Sequence, residues 1–152
     1  MPTFPSNPGT EPMFSLDQRL RDDTIMLGSF PLSLLLLMND RTYPWLVLVP
    51  QREGIREIFE LAPPDRQQLL DESSHLAATL AARLRPDKLN IAALGNVVPQ
   101  LHLHHVARFR TDPAWPAPIW GKFPPVPYRP EQIAALRDRL LPHLEQFTPA
   151  SG

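Results

Sequence analysis

The chain has 152 residues, a formal net charge of −1 and no cysteine. That length suits one domain with a sizeable core, and the charge provides no field for wrapping nucleic acid or docking on an anionic membrane. The lack of thiols excludes disulfides, thiolate catalysis and cysteine-type zinc sites, and it suits a cytoplasmic protein.

Residues 1–13 read as a disordered arm of Pro, Ser, Asn, Gly and Thr. Four prolines and no basic cluster before an apolar core argue against a signal peptide. The most apolar run, Phe30 to Met38, is nine residues long, half of what a bilayer requires, so a soluble intracellular protein is expected. Phe14 to Asp23 reads as a short helix with Ser15 as its cap. Thr24 to Gly28 and Pro31 to Met38 read as strands. Leu34 to Leu37 show no alternation, so the second strand is expected at the centre of a sheet, buried on both faces. The polar turn Asn39 to Pro44 leads to a β-branched strand, Trp45 to Val49, stopped by Pro50.

A helical turn is expected over Ile55 to Leu61, and then a long helix from about Pro64 to Leu84. Leu69, Leu70, Leu76, Ala77, Leu80 and Leu84 form its apolar stripe, and Pro86 lies beyond its end. Lys88 to Leu94 and Leu101 to Phe109 read as two more strands, joined through Gly95 to Pro99. The pattern predicts an α+β domain: an antiparallel sheet of about five strands with the long helix on one face. It spans residues 14–110. Residues 111–152 form a different region, with seven prolines between Pro113 and Pro130 interleaved with Trp115, Trp120, Phe123 and Tyr128. This stretch should cross the surface in extended form, its aromatics docked on the domain or on a partner subunit. Glu131 to Gln146 reads as a closing helix that Pro142 kinks or ends early.

The chemistry concentrates in Gln100-Leu101-His102-Leu103-His104-His105-Val106. In an extended strand Gln100, His102 and His104 share one face, about 7 Å from one to the next, while Leu101, Leu103 and His105 take the other. Two imidazoles and an amide in a row, opposite core leucines, point to a reactive surface. His105 should be packed or hydrogen-bonded in the interior. His75 and His143 read as surface residues, and Arg108 and Arg110 as lining a solvated strand end. A metal shared by His102, His104 and His105 is the rival chemistry, although no carboxylate lies close in sequence on that face.

The line from Gly95-Asn96-Val97-Val98-Pro99 through Gln100, His102, His104 and Val106 resembles the signature of the histidine triad (HIT) nucleotide hydrolases and transferases. That signature is His-φ-His-φ-His-φ-φ on a strand, preceded by a Gly-polar-Ser/Thr-Val connection. The resemblance covers residues 14–110. Gln100 stands where the first histidine would be, His105 at a usually hydrophobic position, Val97 for a hydroxyl residue, and Pro44-Trp45 where many members have Gly-His.

The resemblance implies that His102 is the nucleophile toward phosphorus, forming a covalent nucleotidyl intermediate. A neutral imidazole is suited to that attack at pH 7. It implies that His104 assists the phosphate or the leaving group, and as a cation it would offset developing negative charge. Gln100 can hydrogen-bond but cannot shuttle a proton, so it should position. Asn39 resembles the residue that contacts the nucleotide sugar, and Gly95, Asn96 and Val97 the phosphate-binding connection. The implied substrates are dinucleoside polyphosphates or nucleoside phosphoramidates, with no cofactor and no metal, in a homodimer. The alternative is a nucleotide-binding protein with weak or no catalysis, motivated by Gln100 and Val97.

Overall fold

A computed structural model of the chain describes residues 14–151. The expected disordered arm at 1–13 lies outside the described residues. Helix α1 (Gln18–Asp23) precedes strands β1 (Thr24–Ser29), β2 (Ser33–Met38) and β3 (Trp45–Pro50). A 3₁₀ turn at Ile58–Glu60 leads to α2 (Pro63–Leu84), β4 (Lys88–Ala93) and β5 (Leu103–Arg108). The chain closes with α3 (Pro130–Leu140), a 3₁₀ turn at Leu141–His143 and a two-residue strand, β6 (Thr148–Pro149).

The six strands form one sheet in the order β4-β5-β3-β2-β1-β6, and every pairing is antiparallel. The leucine run of β2 serves both faces, as its lack of alternation requires. Leu35 and Leu37 join the core that α2 covers through Leu69, Leu76 and Leu80. Leu36 joins Val47 and Val49 beneath Leu16 and Leu20, at the other face. Each of these fully buried leucines contributes roughly 1.5–3 kcal/mol of transfer free energy.

Two polar devices tie the layers together. Glu72 of α2 is buried, and its carboxylate accepts from the N–H groups of Leu32 and Ser33 at 2.8 and 3.0 Å, holding the helix to the β1–β2 turn. His105 is fully buried on the α2 face of β5. Its Nδ1 lies 3.0 Å from the Leu103 carbonyl and its Nε2 2.7 Å from Ser73 Oγ of α2. A carbonyl can only accept, so Nδ1 carries the proton and Nε2 accepts from the serine hydroxyl. Burial pushes the His105 pKa down to about 4.

Several local expectations are corrected. The first helix starts at Gln18, capped by Asp17, whose carboxylate accepts from Arg19 N–H at 2.8 Å; Ser15 does not cap it. The reason is tertiary. The Gln100 side chain accepts from Asp17 N–H at 2.9 Å and donates to the Ser15 carbonyl at 2.9 Å, holding this stretch off a helical path. His75 is half-buried, accepting from Glu145 N–H at 2.9 Å and meeting the Phe30 ring edge-on. Arg108 lines no solvated strand end. It is buried, paired with Asp112 at 2.8 Å and with Asn90 Oδ1 at 2.8 Å. The last helix ends at Leu140, ahead of Pro142, because the proline cannot continue the hydrogen-bond ladder.

Candidate active site

The register between β3 and β5 builds the site. Trp45 pairs with Val106 and Val47 with His104, which brings Trp45 beside His104 on the face away from α2. Here a cleft of about 700 Å³ opens, walled by Asp22 and Asp23 of α1, Met38 at the end of β2, Asn39 and Asp40 after it, and Trp45. Its other walls are Leu94 to Val98, His102, His104 and the segment from Ile119 to Pro127. The Pro- and Trp-rich extension therefore covers the cleft of its own chain. Its path is pinned where Arg41 N–H donates to the Val126 carbonyl and Tyr128 N–H donates to Asn39 Oδ1.

His102, His104, Asn39, Gly95, Asn96 and Val97 thus line one cavity. Gln100 does not join them. Its side chain reaches back to Ser15 and Asp17, and the residue meets the site only through its backbone carbonyl. The strand proper begins at Leu103, so the expected straight row of three is bent ahead of it. His105 faces α2, which separates it from the pair and breaks up the three-histidine metal arrangement. Gly95 adopts φ +115°, a conformation that favours glycine and turns the chain out of β4 toward the cleft.

Hydrogen bonds fix the two imidazoles in opposite tautomers. His102 Nδ1 lies 2.6 Å from the Gln100 carbonyl, which only accepts, so neutral His102 carries its proton on Nδ1 and leaves the Nε2 lone pair free. His104 Nδ1 lies 2.9 Å from Trp45 Nε1. Indole only donates, so His104 Nδ1 must be bare and the proton sits on Nε2. The two rings meet edge-to-face with centroids 4.8 Å apart, and the Trp120 ring stands 5.4 Å from His104. Burial, and then the neighbouring His102 and His105, push the His104 pKa down to about 3. The cation expected at this position is therefore replaced by a neutral N–H donor.

A profile of the HIT domain matches residues 19–111. The chain belongs to the HIT family. A histidine triad protein from Marinobacter aquaeolei VT8 is 54% identical, with 90% of this chain and 99% of that one covered and a TM-score of 0.87. A histidine triad protein from Sinorhizobium meliloti 1021 is 45% identical, covering 86% and 97%, with a TM-score of 0.84. One from Bradyrhizobium japonicum is 43% identical, covering 87% and 98%, with a TM-score of 0.85. No curated protein matches the chain. HIT proteins are generally nucleotide-binding hydrolases or transferases, and this HIT protein has an α+β fold of that kind. Among the described residues no helix is long and apolar enough to cross a membrane.

Sequence reasoning missed two site residues. Trp45 is separated from His104 by 59 positions and meets it only through strand pairing. The signal was its place in the motif, where many family members carry Gly-His. Trp120 was noted only as an aromatic of the extension, and nothing local in sequence assigns it to the cleft.

Proposed function

We propose that this HIT protein is a nucleotidyl hydrolase or transferase that works through a covalent nucleotidyl–His102 intermediate. The observation that carries the reading is the 2.6 Å bond from His102 Nδ1 to the Gln100 carbonyl, which turns the Nε2 lone pair to nucleophilic use inside the cleft. His102 Nε2 attacks the phosphorus bonded to the nucleoside, an N–P bond forms, and the leaving group departs with the electron pair of the broken bond. Water or a second acceptor then takes the nucleotidyl group and returns the pair to Nε2. His104 Nε2–H donates to a phosphate oxygen as that charge grows.

In this reading Asn39 meets the sugar, and the N–H groups of Asn96 to Val98 meet the phosphate in place of the hydroxyl that Val97 lacks. Gln100 contributes its carbonyl. The 14–110 unit supplies the chemistry, and the segment from Ile119 to Pro127 walls the cleft, while α3 packs on the α2 side of the sheet. Incubation with dinucleoside polyphosphates and with nucleoside phosphoramidates tests the proposal by release of nucleoside monophosphate. Full activity in His102→Ala would remove it, and tight nucleotide binding without release would favour the non-catalytic alternative.

We also propose a homodimer. Strand β4 is an outer strand of the sheet, and beside it Ile91, Leu70 of α2 and Ile58 are exposed around an apolar groove. Such a contiguous apolar surface suits a second copy of the chain.

A further inference from the structure

Trp45 takes no part in the proposed transfer, yet among the described residues it makes the one side-chain hydrogen bond to His104. Its indole N–H sits 2.9 Å from His104 Nδ1 and its ring is 5.7 Å from the imidazole, centroid to centroid. Protonating Nδ1 would set two N–H groups against each other, because indole has no lone pair to offer in return. Trp120 packs edge-on against both rings, at 6.3 Å from Trp45 and 5.4 Å from His104, so the hydrogen-bonded pair is backed by a third ring. We infer that Trp45 is a positioning residue that holds His104 as a neutral Nε2–H donor, so that the site favours leaving groups that depart as anions over those that must first be protonated.

The inference rests on the proposed nucleotidyl transfer for its substrate consequence, and on geometry alone for the state of His104. A phosphate or carboxylate leaving group takes the electron pair of the broken P–O bond and is stable as an anion at pH 7. An amine leaving from a P–N bond needs a proton, and a neutral imidazole N–H is a poor acid. The groups facing His104 supply no substitute. His102 is its neighbour, His105 lies behind it on the same strand, and Asp22, Asp23 and Asp40 stand on the cleft walls. Among the described residues no Lys or Arg lines the cleft. Lowering of the His104 pKa by burial acts in the same direction.

The test uses the full chain with ¹⁵N-labelled histidine. NMR of the wild type should read His104 as bare at Nδ1 and protonated at Nε2 from neutral pH down to about pH 5. In Trp45→Phe, which lacks the donor, His104 should populate the Nδ1–H tautomer and titrate at higher pH than in the wild type, because a hydrogen bond to the bare nitrogen of the neutral ring is lost. Where Trp45→Phe fails to fold, site-specific benzothienylalanine at position 45 keeps the bicyclic shape without the N–H and gives the same readout. The variant should lose about tenfold or more in kcat near neutral pH with KM changed less than threefold, and the acid limb of its pH profile should lie at higher pH than in the wild type. Wild type should cleave a dinucleoside polyphosphate at least about tenfold faster than a nucleoside phosphoramidate, with the gap narrowing in the variant.

A wild-type His104 protonated on Nδ1, or an unchanged tautomer and titration in the donor-free variant, would overturn the role of Trp45. Equal or faster cleavage of the phosphoramidate by wild type would overturn the leaving-group preference. If neither substrate is turned over, the proposed function fails and the leaving-group preference falls with it, while the NMR result still decides the role of Trp45.

Discussion

Replacing Asp112 by alanine should cost about 3–5 kcal/mol of folding stability. The carboxylate receives the Arg108 guanidinium through two bonds, at 2.8 and 3.1 Å, with the two side chains only 2% and 6% exposed. It also accepts from the N–H groups of Phe109, Ala114 and Trp115 at 3.1, 3.1 and 2.8 Å, which fixes the turn where the chain leaves β5. Without it the guanidinium keeps Asn90 Oδ1 at 2.8 Å and the faces of Tyr43 and Trp115, at 6.0 and 5.7 Å from their centroids. Those partners cannot balance a buried charge, and stranding one is the larger part of the cost. A domain of this size is stable by about 5–15 kcal/mol in all, so the loss should be plain. Urea denaturation followed by tryptophan fluorescence measures it. The double variant Arg108→Met with Asp112→Ala removes the stranded charge and should be more stable than Asp112→Ala alone. A single variant within about 1 kcal/mol of wild type, or a double variant no better than the single, would mean that no buried charge is stranded at Arg108.

Acid should weaken the fold before carboxylates titrate. His104 and His105 have pKa values lowered to about 3 and about 4, against about 6.5 in an unfolded chain. As pH falls through 6.5 the unfolded chain takes up protons that the folded one refuses, so the stability these residues contribute is whole above that pH and declines toward 4. At about 1.4 kcal/mol per pH unit, each should cost about 2 kcal/mol by pH 5. Urea midpoints at neutral pH and pH 5 measure it, and equal midpoints would show that both imidazoles titrate normally. Placing arginine at Leu70 or Ile91 should convert a dimer to monomers of half the mass in light scattering. Unchanged mass would move the subunit contact elsewhere.

The β-strands were legible because their signals are local. Pro50 stops β3, and the unbroken leucines of β2 foretell burial on two faces, which Leu35 and Leu36 realise on opposite sides. Strand β6 was invisible, since two residues, one a proline, carry no periodicity. Its docking is written instead at Gly28, where any Cβ would collide with the Thr148 carbonyl and the Phe147 ring. The histidine pair was legible from its spacing, and so was the inward turn of His105. The neutral state of His104 was not, because it comes from burial in the folded sheet, beside Trp45 and Trp120 that reach it only through strand pairing and the extension. Gln100 shows the same limit: its spacing put it in the row, while its amide is claimed by the backbone of Ser15 and Asp17. Arg108 read as solvated because its partner Asp112 lies beyond the strand, in the turn that buries both.

During turnover His102 Nε2 should become bonded to phosphorus. The most direct measurement is mass spectrometry of protein mixed briefly with a dinucleoside polyphosphate and quenched in alkali, which preserves the acid-labile N–P bond. One added nucleoside monophosphate should appear on the peptide carrying His102 and be absent from His102→Ala. Turnover with no adduct on that peptide, or an adduct on another residue, would contradict it.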